Sequence, residues 1–212
     1  LKDILKRLYY PDCPYEFSVL PAEILGHVYE QFLGKVIRLT PGHQARAEEK
    51  PEVRKAGGVY YTPTYIVDYI VEHTVGKLVE GKTPQQVGAL TKSFQPSKAK
   101  DARPLAVLDP ACGSGSFLLG AYQFLLDWYR DWYVNDNPKK HTAGKNPRLY
   151  QHHSGEWRLT TAERKRILLA HIHGVDIDSQ AVEVTKLSLL LKVLEGESAE
   201  DLDAGLRLFH ER

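Results

Sequence analysis

The segment Asp109-Pro110-Ala111-Cys112-Gly113-Ser114-Gly115-Ser116-Phe117 holds the residues with the clearest chemical purpose. It follows an apolar run, residues 104–108, with the character of a buried parallel strand, and leads into an amphipathic helix. Gly113 and Gly115 let the main chain take positive φ and approach a ligand closely. The helix start beyond them presents unpaired N–H groups to an electron-rich ligand. A turn at the carboxyl edge of an open α/β sheet is where ligands of such folds bind. Two further acids, Asp176 and Asp178, close a second apolar run at residues 172–177. A third stretch, Gly58-Val59-Tyr60-Tyr61-Thr62-Pro63, ends in a Thr-Pro pair with the signature of a helix start, Thr as N-cap and Pro at the first helical position.

Other residues invite chemistry and are better read as structure. His171 and His173 alternate along the second run, and His152 adjoins His153, but no cysteine or third ligand has zinc spacing, so no metal is expected. Pro11-Asp12 and Glu48-x-Lys50 spell the letters of a restriction-type nuclease, yet Glu48 reads as part of a charged loop rather than a paired strand. Lys139, Lys140, Lys145, Arg148, Arg158, Arg164, Lys165 and Arg166 give residues 137–166 a basic excess that could meet phosphates, although a solvated loop is the commoner meaning. Trp128, Tyr129, Trp132 and Tyr133 recur at helical spacing, which points to packing against the N-terminal helices rather than to a base-stacking surface.

The elements that must position the turn are legible from periodicity. Residues 1–40 read as helical, with an amphipathic stripe of Ile24, Leu25, Val28, Phe32, Leu33 and Val36. Residues 41–57 read as a charged loop and 92–103 as a polar linker. A helix is expected from Thr62-Pro63 towards Gly81, and a shorter one from Thr83-Pro84. After the glycine turn, a helix runs to about Tyr133 and a surface insertion covers residues 135–158. Thr160 and Glu163 form a capping box opening the next helix. Asp178 caps a final apolar helix that stops at Gly196. The expected fold class is α/β: an N-terminal helical region and charged loop (1–57), then a domain (58–212) containing the first half of a Rossmann-like sheet. Two parallel strands do not make a stable sheet alone, so the sheet is expected to be incomplete at its C-terminal side.

Composition bounds the rest. The 212 residues are 42% apolar and 26% charged, and 28 Lys+Arg against 27 Asp+Glu leave a net charge of +1, so no bulk field points to nucleic acid or membrane. No apolar stretch approaches the roughly 20 residues of a membrane span. No secretion leader is visible. Cys13 and Cys112 cannot build a disulfide framework. A cytoplasmic location is therefore expected. The chain contains no Met and opens on Leu1, which reads as a piece of something longer.

Taken together and in order, the three motifs resemble those of S-adenosylmethionine-dependent N6-adenine DNA methyltransferases. Residues 109–117 are similar to the family's cofactor motif I, residues 58–63 to motif X, and Gly174-Val175-Asp176-Ile177-Asp178 to motif II, in the γ-type order. The helical lead-in, the long spacing from motif I to motif II and the run Leu159-Thr160-x-x-Glu163-Arg164 look most like the large restriction-modification fusions and BREX-type phage-defence methylases. The resemblance implies S-adenosyl-L-methionine as cofactor. It implies that Asp109 holds the turn and favours the nearby cation, with the Ala111 carbonyl and the Cys112 and Gly113 backbone facing the methionine portion and Gly115 and Phe117 among the cofactor-binding residues. It further implies Asp176 on the ribose hydroxyls, Ile177 on the adenine face, Thr62 at the methionine carboxylate, and Tyr60 and Tyr61 as walls. Double-stranded DNA would be the partner through the full-length protein, with restriction or defence subunits beside it and no membrane.

One family feature is missing. The Asn-Pro-Pro-aromatic motif that accepts the adenine amino hydrogens and stacks on a flipped base does not occur. Asn137-Pro138-Lys139 and Asn146-Pro147-Arg148 lie in the polar insertion and read as turn formers. No catalytic residue is assigned, and the chain is expected to be inactive by itself. A nicotinamide Rossmann reading fails, because position 118 is Leu where the third glycine would stand. The rival readings are a non-catalytic cofactor-binding or DNA-docking module, and a methyltransferase acting on RNA or protein.

Overall fold

The computed structural model describes residues 24, 26, 28, 29, 35–49, 62–88, 90–91 and 102–196. Residues 24, 26, 28 and 29 are helical. The helix expected to reach residue 40 gives way to a hairpin: β1 (Lys35–Leu39) pairs antiparallel with β2 (Ala45–Glu49). A Val-Ile pair favours extended backbone. The turn between the strands is closed by Thr40, whose carbonyl accepts the His43 N–H and whose hydroxyl accepts the Gln44 N–H. Glu48 therefore lies on a paired strand and not in a loop, and it forms an ion pair with Arg38 across the hairpin. Pro11 and Asp12 lie outside the described residues.

Helix α1 (Thr64–Val71) begins one residue later than expected. Pro63 occupies the N-cap and no side chain caps the helix, so Thr62 is not the cap. The chain continues through a π-helical turn (Glu72–Gly76) into α2 (Lys77–Val79). Thr83 opens α3 (Pro84–Val87) with a complete capping box to Gln86. Strand β3 (Leu90–Thr91) pairs antiparallel with β4 (Ala102–Arg103), so the end of the expected linker is a strand.

The parallel pair that carries the site is β5 (Val107–Asp109) and β8 (Ile172–Gly174), in the register Val107↔Ile172, Leu108↔His173, Asp109↔Gly174. Between them run α4 (Ser116–Asn135), a 3-10 turn (Pro138–His141), the antiparallel hairpin β6 (Leu149–Gln151) with β7 (Trp157–Leu159), and α5 (Thr161–His171). Helix α6 (Ser179–Leu194) follows β8, its Asp178 cap accepting the Gln180 N–H. The insertion is thus a hairpin rather than an irregular loop, anchored in the core by Leu149 and Leu159.

The core lies on the helical side of the β5–β8 pair. Leu118, Ala121, Tyr122, Leu125, Tyr129 and Tyr133 of α4 meet Val67 and Val71 of α1, Ile167 of α5 and Val193 of α6. Gly120 permits the α1–α4 approach, since a β-carbon there would stand 2.5 Å from Val67 Cγ1. Helix α6 buries Ala181, Thr185, Ser188 and Lys192, a small and polar face, while Leu187 and Leu191 remain 46% and 43% exposed. On the sheet, Leu108 is 60% exposed.

Tyr129 and Tyr133 are fully buried, so the aromatic helix fills the core, and it does so against α5. The Tyr129 hydroxyl bonds to His171 Nε2 (2.8 Å), and the His171 Nδ1–H donates to the Leu105 carbonyl (2.6 Å). The Tyr133 hydroxyl donates to Glu163 (2.7 Å), which also receives Arg166 through two N–H groups. Glu163 is drawn into this network and leaves the reciprocal half of its capping box unmade; only the Thr160 hydroxyl bonds the Glu163 N–H. Several cations of the basic run are engaged within the fold. Arg164 donates to the carbonyls of Leu159, Val193 and Glu195, Arg166 to Glu163, Arg158 to Glu156, and Arg148 lies over the Tyr133 ring.

Candidate cofactor site

Two backbone bonds join the glycine turn to Val175, just beyond β8, and a third closes the turn on itself. The Val175 N–H donates to the Asp109 carbonyl (2.9 Å), the Cys112 N–H to the Val175 carbonyl (3.0 Å), and the Gly115 N–H closes the turn onto the Cys112 carbonyl (2.8 Å). Asp109 Oδ1 accepts the Ala111 N–H (3.0 Å), folding the strand end back on itself. Asp176 uses both oxygens: Oδ2 accepts the Gly113 N–H (2.8 Å) and Oδ1 accepts the Asp178 N–H (2.8 Å). Motifs 63 residues apart thus meet at one edge of the sheet.

These bonds change the reading of the turn. The Ala111, Cys112 and Gly113 N–H groups are all donated within the fold, and the Gly113 carbonyl accepts the Thr185 hydroxyl (2.8 Å). Cys112 and Gly113 therefore shape the turn rather than offer open donors. The Cys112 thiol is buried, and that burial pushes it above its ordinary value, with the Asp176 and Asp109 charges adding to the shift. It is a protonated packing group beside Gly174.

Thr185 was not singled out from the sequence. It faces Gly115 so closely that a β-carbon there would meet its Cγ2 at 2.6 Å, and Gly115 itself sits at φ 85°. Helix α6 in this way locks the turn from the side. The available signal was a threonine in register with Ala181 and Ser188 inside an otherwise apolar helix.

Around this scaffold the remaining candidates differ. Ile177 is fully exposed (104%), an apolar side chain held between two carboxylates. Ala111 and Asp109 lie at the same rim, Ala111 exposed and Asp109 half-buried. Phe117, half-buried, packs against the core in the first turn of α4. Thr62 is exposed ahead of α1. Tyr60 and Tyr61 lie outside the described residues. Asn137 sits at φ 78° and accepts the Lys139 N–H, so the first Asn-Pro pair forms a turn, while Asn146 ends a bend and the Pro147 carbonyl accepts the Thr160 hydroxyl. Among the described residues, no three His, Cys, Asp or Glu side chains converge on a metal-sized space. No helix among them is long and apolar enough to cross a membrane.

The rim of the turn thus carries two half-buried carboxylates, Asp109 and Asp176, beside the exposed Ala111 and the uncovered apolar side chain of Ile177. A small parallel sheet with a glycine turn and an acid at adjacent strand ends is compatible with an α/β methyltransferase. Residues 94–201 match the family model described as MmeI, DNA-methyltransferase domain, and the chain belongs to that family. It is 32% identical over 94% of its length to the type II restriction enzyme and methyltransferase RM.Eco57I of Escherichia coli. It is 25% identical over 88% of its length to the adenine-specific methyltransferase BrxX of Escherichia coli O9:H4, and 25% identical over 71% to the adenine-specific methyltransferase PglX of Streptomyces coelicolor. The chain spans only 18%, 14% and 9% of these relatives.

Proposed function

We propose that this chain is the cofactor-binding portion of an adenine-N6 DNA methyltransferase of a restriction-modification or phage-defence system. The bond from Asp176 to Gly113 carries the reading, because it brings the acid of the second strand onto the glycine turn of the first. The names of the relatives support methyl transfer to adenine as the activity, and the family description supports DNA as the acceptor.

S-adenosyl-L-methionine, when bound, supplies a methyl group on a positively charged sulfur. The chain's own residues bind and orient it. Asp176 retains further lone pairs on its two oxygens and accepts the ribose hydroxyls. Ile177 covers the adenine face, and its exposure leaves it free to do so. Asp109 and the Ala111 carbonyl face the methionine portion, with Thr62 at its carboxylate and Tyr60 and Tyr61 as walls. Positioning of this kind supplies much of the rate of an in-line displacement.

The domain division, 1–57 followed by a partial methyltransferase domain from 58 to 212, belongs to this reading, as does a Rossmann-like sheet completed by residues beyond those given. So does a cytoplasmic location. The Asn-Pro-Pro-aromatic motif is absent from the sequence, so the chain by itself is inactive.

Calorimetric titration of the full-length gene product with S-adenosylmethionine tests the assignment. Asp176→Ala is expected to weaken binding by about tenfold or more, the loss of charge-assisted bonds to two hydroxyls. Equal affinity in wild type and variant removes Asp176 from the ribose. Methyl incorporation into duplex DNA by the 212-residue chain alone is expected to be at background.

A further inference from the structure

Two residues of the N-terminal helical segment touch the site from outside the motifs. The Tyr29 hydroxyl donates to Asp178 Oδ2 (3.3 Å). Gly26 is buried against Ser114, where a β-carbon would stand 3.2 Å from Ser114 Cβ and 3.3 Å from its carbonyl oxygen and Oγ. The segment thus spans both strand ends, meeting the glycine turn at Ser114 and the acid pair at Asp178.

The Tyr29 contact does not stop at Asp178. The Asp178 N–H donates to Asp176 Oδ1, and Asp176 Oδ2 accepts the Gly113 N–H. Tyr29 is thus linked to the side chain of Asp178, the Asp178 backbone to Asp176, and Asp176 to the glycine turn. Asp178 Oδ1 is engaged by the Gln180 N–H, so Tyr29 secures the other oxygen of the carboxylate that starts α6. The environment of the phenol agrees with this placement: burial raises it above its ordinary value, and the charges of Asp178 and Asp176 raise it further, keeping it a donor.

We infer that the N-terminal segment forms a third side of the cofactor site, with Tyr29 a positioning residue that holds the Asp176–Asp178 pair and Gly26 the close contact that seats the segment on Ser114. The inference rests on reading the glycine turn as a cradle for a nucleoside-bearing cofactor. It adds that cofactor occupancy and docking of the N-terminal segment are coupled, each strengthening the other by the same factor.

Calorimetry on the full-length gene product, comparing wild type, Tyr29→Phe, Gly26→Val and Asp176→Ala with S-adenosylmethionine, tests it. Tyr29→Phe keeps the ring and removes one bond to a carboxylate, and is expected to weaken binding by about threefold to tenfold. Gly26→Val separates segment and turn and is expected to weaken binding at least as much. Hydrogen exchange supplies the readout that a merely structural contact leaves still. Amides of residues 26, 28 and 29 should slow when cofactor is added to wild type, and should slow much less in Tyr29→Phe. Wild-type affinity in both N-terminal variants, with exchange at 26, 28 and 29 indifferent to cofactor while Asp176→Ala loses binding, overturns this inference alone. Failure of the wild type to bind overturns the cofactor reading beneath it.

Discussion

Gly115 shows how much of the site is decided at one backbone position. Its φ of 85° is costly for any residue with a β-carbon, and Thr185 Cγ2 already fills the space such a carbon would need, 2.6 Å away. Gly115→Ala is therefore expected to destabilise the fold by roughly 2–4 kcal/mol, the sum of a left-handed penalty and overpacking. Thr185→Ala removes the packing part and leaves the conformational part. In urea titrations the double variant should recover about 1–2 kcal/mol relative to additivity. Strict additivity would mean that Thr185 does not press on the turn in solution.

At the scale of elements, α5 is held by groups that titrate. Burial holds His171 below its ordinary value, and the nearby Arg166 charge lowers it further, against the pull of the Leu105 carbonyl. Burial alone would raise Glu163, but hydrogen bonds from Arg166 and Tyr133 outweigh it and the carboxyl is held below the usual range. Both shifts have the same sign in acid. The unfolded chain takes up a proton on His171 as pH falls below about 6.5 while the folded chain resists, so stability drops with pH there. The contribution of Glu163 is present above about 4.3 and is lost as pH falls through its lowered folded value. Melting temperature should therefore fall between about pH 7 and 5, and His171→Gln should flatten that limb while lowering the melting temperature throughout. An unchanged slope in the variant assigns the proton uptake to another group. Glu163→Gln should cost about 1–3 kcal/mol, since it weakens bonds to Tyr133 and Arg166 while Arg166 keeps access to water.

The same elements show what was legible in the sequence. The glycine turn, the Asp178 cap and the long α4 declare themselves through local spacing, and the structure has all three. The β1–β2 hairpin was hidden, because Val36 extends the three- and four-residue steps of the preceding helix and the turn at Pro41-Gly42 leads into a charged strand whose only apolar residues are two alanines. The stripe itself was misassigned: Ile24 and Val28 are exposed, and Gly26 and Tyr29 face the domain. Leu25, Phe32, Leu33 and the Val36 side chain lie outside the described residues. The contact of Thr185 with the turn and that of Tyr29 with Asp178 were illegible for a different reason. Each residue acts through a partner far along the chain, and local pattern carries no record of such contacts.

For the whole molecule the informative surface is the one that nothing among the described residues covers. Leu108 on β5 is 60% exposed and Val175 beyond β8 56% exposed, while Leu187 and Leu191 stand one turn apart on the outer side of α6. Among the described residues the β5–β8 sheet has two strands, fewer than independent stability normally needs. If the methyltransferase domain continues beyond these residues, as proposed, its further strands and helices bury these positions. Lysine at 187 and 191 separates the two situations. In the 212-residue chain, Leu187→Lys with Leu191→Lys should leave the melting temperature nearly unchanged and reduce concentration-dependent association in sedimentation, because both side chains already meet water. In the full-length gene product the same pair places two charges in an apolar contact, and a loss of roughly 3 kcal/mol or more is expected, with failure to fold at the upper end. Equal tolerance in the two proteins would mean that α6 keeps its outer face in water, and that the sheet is completed elsewhere or not at all.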